Sequence, residues 1–307
     1  MRNTRQLTIS TLIAGMLSFG YAHAADMTYP SEAPSGVQVW AEVYGGLTSL
    51  SSKTGTIGPN EDPRYGIVGG SATLMTTYGL WGLQLDVFGE SNTDGTSAPI
   101  DDTYKGAFGG GLHVNSAVSD QVILGVFGAV AGVGIQDTDG SDRDTTAYIV
   151  GAEGSAQFSI GRFDPIVYLQ AGYLDSDRDS DDAASIRRAG FVRGGVKTAL
   201  TDRITWISEY SYASGRMDVD NDRVTLFGWG TRVEFDARDV IPAPVRFFVE
   251  YDGTRYRQSA ENDKITDHTV VAGISVDLGG NQNRDLNRHF DLPRFYRWVG
   301  QTGGPLE

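Results

Sequence analysis

The sequence predicts an all-β fold: a closed, up-and-down antiparallel transmembrane β-barrel of about twelve strands. Three observations support this prediction. Apolar and polar residues alternate in many segments, the connections between these segments are alternately long and short, and aromatic residues lie near both ends of the apolar faces. A secreted soluble β-protein is the alternative, because it would show the same alternation with its apolar faces turned inward.

Residues 79–91, with the sequence GLWGLQLDVFGES, show the alternation clearly. Trp81 and the leucine and valine residues at 83, 85 and 87 occupy every second position, which is the period of a strand with one apolar face. Gln84, Asp86 and Glu90 lie on the other face. In a membrane barrel the first set faces lipid and the second set faces a polar lumen.

Twelve segments are predicted to be strands, and most exceed the ~5–6 residues that are typical of soluble sheets. They are long enough for the ~9–11 tilted residues with which a strand crosses a bilayer. Strand length therefore favours the membrane barrel. The segments are 37–47, 65–74, 80–90, 103–115, 121–135, 145–158, 165–174, 186–200, 204–213, 223–236, 245–256 and 267–278.

The longer connections between these segments are acidic, as in QDTDGSDRD at 136–144 and DSDRDSDD at 175–182. Outer-membrane barrels have short periplasmic turns and longer outer loops, so the acidic connections are expected outside the cell. Asp175, Asp177, Asp179 and Asp181 alternate as oxygen ligands do in a calcium loop, but the central glycine and the terminal glutamate are missing. We therefore expect no metal site and no cofactor.

The first residues predict export and set the domain boundaries. Arg2 and Arg5 precede a short apolar run that ends in small residues, as in a signal peptide. We predict a signal peptide at 1–24, a periplasmic lead-in at 25–36, the outer-membrane barrel at 37–278 and a periplasmic tail with a short helix at 279–307. No apolar run reaches the ~20 residues of a membrane-spanning helix.

Aromatic residues are predicted to form two girdles, because barrel strands place them at the two membrane interfaces. The first strand is taken to run outward. The girdle near the periplasmic ends then contains Trp81, Phe158, Trp206 and Phe235, and the girdle near the outer ends contains Tyr104, Tyr148, Tyr173 and Tyr212.

The chain resembles the porin-like outer-membrane β-barrel proteins of Gram-negative bacteria. The resemblance lies in the signal that ends in Ala-His-Ala-Ala, in Gly-rich strands such as VWAEVYGGL, GAFGGGLHV and GVFGAVAGVG, and in the rhythm of turns and loops. It covers about residues 37–278 and is architectural. Since no motif is specific to one family, it assigns no functional residue.

The same parity predicts which charged residues line the lumen: Glu42, Asp86, Glu90, Lys105, Glu153, Arg187, Arg193, Lys197, Glu209, Arg232, Glu234, Arg246, Glu250 and Asp252. In a water-filled pore, such opposed charges would select solutes. They would equally satisfy one another in a barrel filled by side chains. The sequence leaves both interpretations open.

The composition limits the partners. The net charge is −14, and the signal peptide contributes only basic residues to it, so nucleic acid is not expected. The expected partners are outer-membrane lipid, lipopolysaccharide and small hydrophilic solutes. The absence of cysteine excludes disulfides and thiolate metal sites.

Three functions follow, in order of preference: a passive, cation-leaning channel, a non-conducting structural or interaction barrel, and a lipid-modifying enzyme. Catalysis is not expected, because His113, His268 and His289 are the histidines outside the signal peptide and none adjoins a serine in a hydrolase-like signature.

The tail contains LPRFYRWVG, in which Leu292, Phe295, Trp298 and Val299 share one helical stripe after Pro293. Three roles are open for it: a periplasmic helix under the barrel mouth, a plug, or a segment that binds a periplasmic partner. The plain alternative is a frayed tail with one apolar patch.

Overall fold

The computed structural model describes residues 37–52, 64–93, 103–136, 142–161, 163–177, 186–217, 223–238, 240–241, 243–258, 264–279 and 289–302. The predicted signal peptide and lead-in lie outside these residues. So do Asp179 and Asp181 of the acidic run considered above.

Twelve antiparallel strands form one closed sheet, in which each strand pairs with its neighbours in the chain and the last pairs with the first. The predicted fold class is therefore confirmed. The strands are β1 (Val37–Ser52), β2 (Arg64–Tyr78), β3 (Trp81–Thr93), β4 (Thr103–Ala117), β5 (Val122–Gln136), β6 (Asp142–Gln157), β7 (Ile166–Ser176), β8 (Ile186–Ala199), β9 (Ile204–Met217), β10 (Arg223–Asp236), β11 (Val245–Gln258) and β12 (Lys264–Gly279), and a helix α1 (Phe295–Thr302) follows them.

The outer wall of the barrel is apolar, and this excludes the soluble alternative. Trp81 is 61% exposed, and the apolar residues at 83, 85 and 87 are exposed with it, whereas Gln84 is buried inside. The same outward exposure of apolar side chains recurs around the barrel, as at Val150, Leu169 and Val249. A wall of this kind faces hydrocarbon. In the described part of the chain, no helix is both long and apolar enough to span a membrane.

The barrel has an inner end, where β1 begins, β12 ends and the β2–β3 turn lies, and an outer end with the acidic loops. The strands extend further toward the outer end than the sequence predicts, since Asp142 of β6 pairs with Gln136 of β5. The outer connections are therefore shorter than expected. The outer connection 137–141 is even shorter than the inner connection 158–165, so the predicted alternation of lengths is incomplete.

A bulge in β4 changes which side chains face the lumen. The pairing of β4 with β5 shifts between Tyr104 and Gly106, so one strand has an extra residue there. One extra residue turns the side chains beyond it to the opposite face. Gly106 has a φ of 154°, at the edge of the range that favours glycine, and a Cβ on it would approach the Glu90 carbonyl.

Candidate functional site

The charged residues of the inner half of the barrel point into the lumen, where they form ion pairs between strands. The Arg232 guanidinium of β10 lies 2.7 Å from Glu42 of β1 and 2.7 Å from Glu234 of its own strand. Glu250 of the neighbouring strand β11 lies 3.6 Å away. The guanidinium also stacks on the Phe248 ring, 3.8 Å from its centroid. Arg232 is therefore held by charges of opposite sign.

A second group of charges lies on β8. Arg193 Nε donates to Glu209 Oε1 at 3.1 Å, and Nη1 donates to Gln170 Oε1 at 2.9 Å. Lys197 lies four residues further along β8 toward the inner end and is 2% exposed. Because β7, β8 and β9 are neighbours, these side chains form one cross-strand network.

His113 lies between two carboxylates on the opposite wall. Its Nδ1 is 2.9 Å from Glu153 Oε2, and its Nε2 is 3.2 Å from Asp86 Oδ2. The imidazole is fully buried and stacks on Phe127, with ring centroids 5.4 Å apart. This environment makes His113 a link between strands β3, β4 and β6.

The structure places most of the predicted lumen residues as expected. Asp86, Glu153, Arg193, Lys197, Glu209, Arg232, Glu234 and Glu250 are inside, and Arg246 is inside at the inner rim, 3.1 Å from Asp277. The prediction is wrong for Lys105, which belongs to the β4 bulge and lies next to Gly134 on the outward face. It is also wrong for Arg187, which a bulge at Ile186 and Arg188 leaves exposed.

The predicted aromatic girdles face outward except at Tyr104. Trp81, Tyr148, Phe158, Tyr173, Tyr212 and Phe235 are exposed, and Trp206 is half-buried on the same outward face with its indole N–H donating to Thr231. Tyr104 is only 2% exposed and lies inside, where its hydroxyl donates to Glu90 Oε1 at 3.0 Å. The β4 bulge explains this difference, because it reverses the parity from which Tyr104 was assigned to the interface.

The tail enters the lumen from the inner end and contacts the wall through its backbone. Gln84 Nε2 donates to the Phe290 carbonyl at 2.6 Å, and the Phe290 amide donates back to Gln84 Oε1 at 3.2 Å. The Asp291 carbonyl accepts from Arg193 Nη1 at 2.7 Å. The expected periplasmic location is therefore corrected for residues 289–302: of the three roles left open by the sequence, they take the position of a plug.

Ion pairs hold the next part of the tail. Lys197 Nζ lies 3.1 Å from Asp291 Oδ2, and Arg294 lies 2.6 Å from Glu250. Arg297 Nε donates to Glu90 Oε1 at 2.8 Å. Glu90 is fully buried and also accepts a hydrogen bond from Tyr44 at 2.7 Å. The two arginines of the tail thus neutralise carboxylates of the wall.

Helix α1 packs in the outer half of the barrel, where the lumen is apolar. Phe295 and Val299 are fully buried, and Trp298 packs edge-on against Phe191 with centroids 6.0 Å apart. A Cβ at Gly300 would overlap the Tyr104 ring, so the glycine allows the helix to approach β4. Burial of each large apolar side chain contributes about 1.5–3 kcal/mol. The predicted polar lumen is therefore correct for the inner half only.

A polar cavity remains on the other side of the tail. Because α1 packs on β4, β5, β6 and β8, a space remains beside β1, β2, β3 and β8 to β11. Its water-accessible volume is about 190 Å³, and it opens to solvent. Its wall contains seven carboxylates and five basic side chains: Glu42, Asp86, Glu209, Glu234, Glu250, Asp252 and Asp291, against Arg193, Lys197, Arg232, Arg294 and Arg297.

Asp291 is the carboxylate of the docked tail that faces this cavity. Burial alone would raise the pKa of its carboxyl, but the positive charges of Lys197, His289 and Arg193 outweigh burial and hold that pKa well below its usual range. Asp291 is therefore ionised at neutral pH and pairs with Lys197.

Sequence reasoning missed the three charged tail residues that complete the lumen, Asp291, Arg294 and Arg297. Their signal was present, because the wall predicted from parity has more carboxylates than basic residues and the tail supplies two arginines. The apolar stripe of the tail indicates only the opposite face of the helix.

Comparison with known proteins supports the fold. Neither a scan against protein-family models nor a search of the curated proteins found a match. Among solved structures, the COG4313 outer membrane channel from Pseudomonas putida F1 aligns with a TM-score of 0.51 at 12% identity, over 82% of this chain and 99% of that one.

Two further barrels align with lower scores. They are the translocator domain of the autotransporter NalP from Neisseria meningitidis, with a TM-score of 0.48 at 12% identity over 89% and 99% of the chains, and the KdgM porin, with 0.42 at 9% identity over 78% and 99%. Likeness at this level of identity establishes the architecture and no particular activity. The closed sheet and its apolar outer wall define the class: the chain is an outer-membrane β-barrel protein.

Proposed function

We propose that this barrel is a channel for small hydrophilic solutes that its own C-terminal segment holds closed or narrowed. The observation that carries the proposal is the charged cavity beside the tail. A barrel built only for rigidity would fill its interior, whereas this one keeps a solvated space lined by opposed charges. The proposal includes no catalytic step.

The way in which the tail is held supports a removable obstruction. Residues 289–294 contact the wall through hydrogen bonds and ion pairs, as at Gln84, Lys197 and Glu250. Polar contacts of this kind exchange readily with water when the segment leaves. Every strand of the barrel pairs with two other strands, so the sheet is closed without the tail.

The test is conductance in planar lipid bilayers. We expect the full mature chain to give small or intermittent steps, and a chain that lacks residues 289–307 to give larger and steadier ones. The matched control lacks only residues 303–307, beyond the docked segment, and should behave as the full chain does. Bilayers that stay closed with the full chain and with the 289–307 deletion would refute the channel.

A non-conducting interaction barrel is the second candidate, and the apolar packing of α1 in the outer half favours it. In that case neither the full chain nor the 289–307 deletion would give conductance steps. The 289–307 deletion would then lower the thermal stability of the barrel without opening it.

A further inference from the structure

The outward face of the barrel carries a belt of basic side chains near the outer end of β8 to β12. The basic belt consists of Arg188, Arg216, Arg223, Arg255, Arg257 and Lys264, and all six are exposed. They alternate with the lumen-facing positions Met217, Val224 and Tyr256, which are buried, so they point away from the lumen. This feature is independent of the channel.

Strands β9 to β12 of the belt repeat one spacing. Tyr212 and Arg216 of β9, Phe227 and Arg223 of β10, Tyr251 and Arg255 of β11, and His268 and Lys264 of β12 share an outward face and are four residues apart, the basic residue always further out. Four residues of a strand tilted by about 40° rise on the order of 10 Å. Aromatic rings mark the boundary of the hydrocarbon. The basic belt therefore lies at the height of the lipid headgroups.

The belt places like charges next to one another. Arg216 of β9 is directly opposite Arg188 of β8 and Arg223 of β10, and Arg257 is directly opposite Lys264. Like charges at directly opposed positions destabilise a sheet unless an anion lies between them. In the described part of the chain, no carboxylate lies within salt-bridge distance of these side chains. Asp175 of β7, opposite Arg188 in the register, marks the end of the belt.

Elsewhere on the outward face, Arg64 of β2 and Lys105 of β4 lie near the outer end, on strands that are not neighbours. The outward positions there include Ser91 and Thr93 of β3 and Asp144 and Thr146 of β6. The basic side chains are therefore concentrated on one side of the barrel, as a binding surface requires, rather than spread evenly around it.

We propose that the basic belt binds the phosphate groups of the phosphorylated glycolipid in the outer leaflet. Arginine forms bidentate hydrogen bonds with phosphate, and each basic residue near an anionic headgroup layer contributes to attraction. The acyl chains lie along the aromatic residues Phe227, Trp229 and Tyr251 below the belt. The protein thus contacts the lipid directly, without divalent cations that bridge acidic loops to the same phosphates.

Native mass spectrometry of the detergent-solubilised full chain tests this proposal. The probe is diphosphorylated lipid A, compared with the same lipid after removal of both phosphates. The variant Arg216→Gln/Arg223→Gln removes two charges of the belt. The variant Arg203→Gln/Arg238→Gln removes two charges at the inner-end turns and is the matched control. Heat-dependent mobility on gels confirms that each variant forms a barrel.

We expect the belt variant to bind diphosphorylated lipid A about tenfold more weakly than the wild type. The control should bind normally, the dephosphorylated lipid should bind weakly to all proteins, and EDTA should leave binding intact. Equal affinity of the belt variant and the wild type would overturn the proposal. So would equal binding of the dephosphorylated lipid, or loss of binding in EDTA, which would assign the phosphates to the acidic loops and their cations.

Discussion

Glu90 is the residue of the wall on which the docking of α1 depends most. It is fully buried, it pairs with Arg297, and its carboxylate accepts hydrogen bonds from Tyr44 and Tyr104. When one partner of a buried ion pair is removed, the other is left as an uncompensated charge, which costs about 3–5 kcal/mol. The cost falls on the docked state, because Arg297 becomes hydrated when the tail leaves the lumen.

The change Glu90→Gln should therefore release the tail. Since the chain contains no cysteine, Val299→Cys provides a single reporter at a fully buried position of α1. We expect this thiol to resist a water-soluble maleimide in the otherwise wild-type protein and to react in the Glu90→Gln background. The control is Glu234→Gln, which neutralises a buried carboxylate that pairs with Arg232. Protection that is unchanged by Glu90→Gln would show that the apolar packing alone holds the helix.

At the scale of single residues, the sequence predicted the facing of side chains well wherever the strands are regular. Trp81 and Gln84 face lipid and lumen as their parity requires. Tyr104 and Lys105 do not, because a bulge shifts the alternation and leaves no periodic signal of its own. The bulge could not be predicted from glycine alone, since glycine is frequent throughout the strands.

At the scale of elements, the tail combines two kinds of attachment with different pH dependence. The apolar contacts of Phe295 and Val299 do not titrate. Asp291 does, and the charges of Lys197, His289 and Arg193 depress the pKa of its carboxyl in the docked state. A depressed pKa stabilises docking above the ordinary value of about 3.9, and this contribution is lost as the pH falls through the docked value.

Channel current should follow this dependence. We expect the conductance of the full chain to rise in solutions more acidic than about pH 4, where the Asp291 carboxyl becomes protonated. Asp291→Asn should conduct more than the wild type at pH 7, and the two proteins should converge in acid. A difference that persists unchanged at the lowest pH would assign the effect of the substitution to shape rather than to charge.

The sequence predicted the helix of the tail but not its location. Pro293 and the stripe of Phe295, Trp298 and Val299 indicate a helix with an apolar face, and α1 begins at Phe295. The same stripe suits a helix under the barrel mouth equally well. Its location inside depends on complementarity between Arg294, Arg297 and carboxylates of β3 and β11 that are far away in sequence, and a periodic pattern does not report such contacts.

At the scale of the whole molecule, the closed sheet follows from strand period, strand length and turn positions, all of which are local properties of the sequence. The width of the lumen and its filling are not local. They depend on how the lumen-facing side chains of all twelve strands and the side chains of the tail pack against and pair with one another. For this reason the architecture was predicted correctly, whereas the apolar outer half of the lumen, with Leu50, Ile67 and Leu226, was not.

The charge of the whole lumen predicts the selectivity of the opened barrel. Removal of residues 289–307 removes Arg294 and Arg297 and leaves Glu90, Glu250 and Asp252 without those partners. We expect this deleted protein to prefer cations, as measured by the reversal potential in a potassium chloride gradient. Glu250→Gln/Asp252→Asn in the same background should weaken the preference. A preference for anions would contradict this account of the lumen.

The extra residue in β4 has a consequence for how such proteins diverge. A gain or loss of one codon within a strand moves the side chains beyond it from the lipid-facing side to the lumen, or the reverse. The neighbouring strands keep their positions. In this chain the extra residue turns Tyr104 from the lipid-facing side into the lumen. There it donates a hydrogen bond to Glu90, the carboxylate that also pairs with Arg297 of α1. Insertion or deletion of single residues in the strands can therefore change which side chains line a pore, without any substitution at a lumen-facing position.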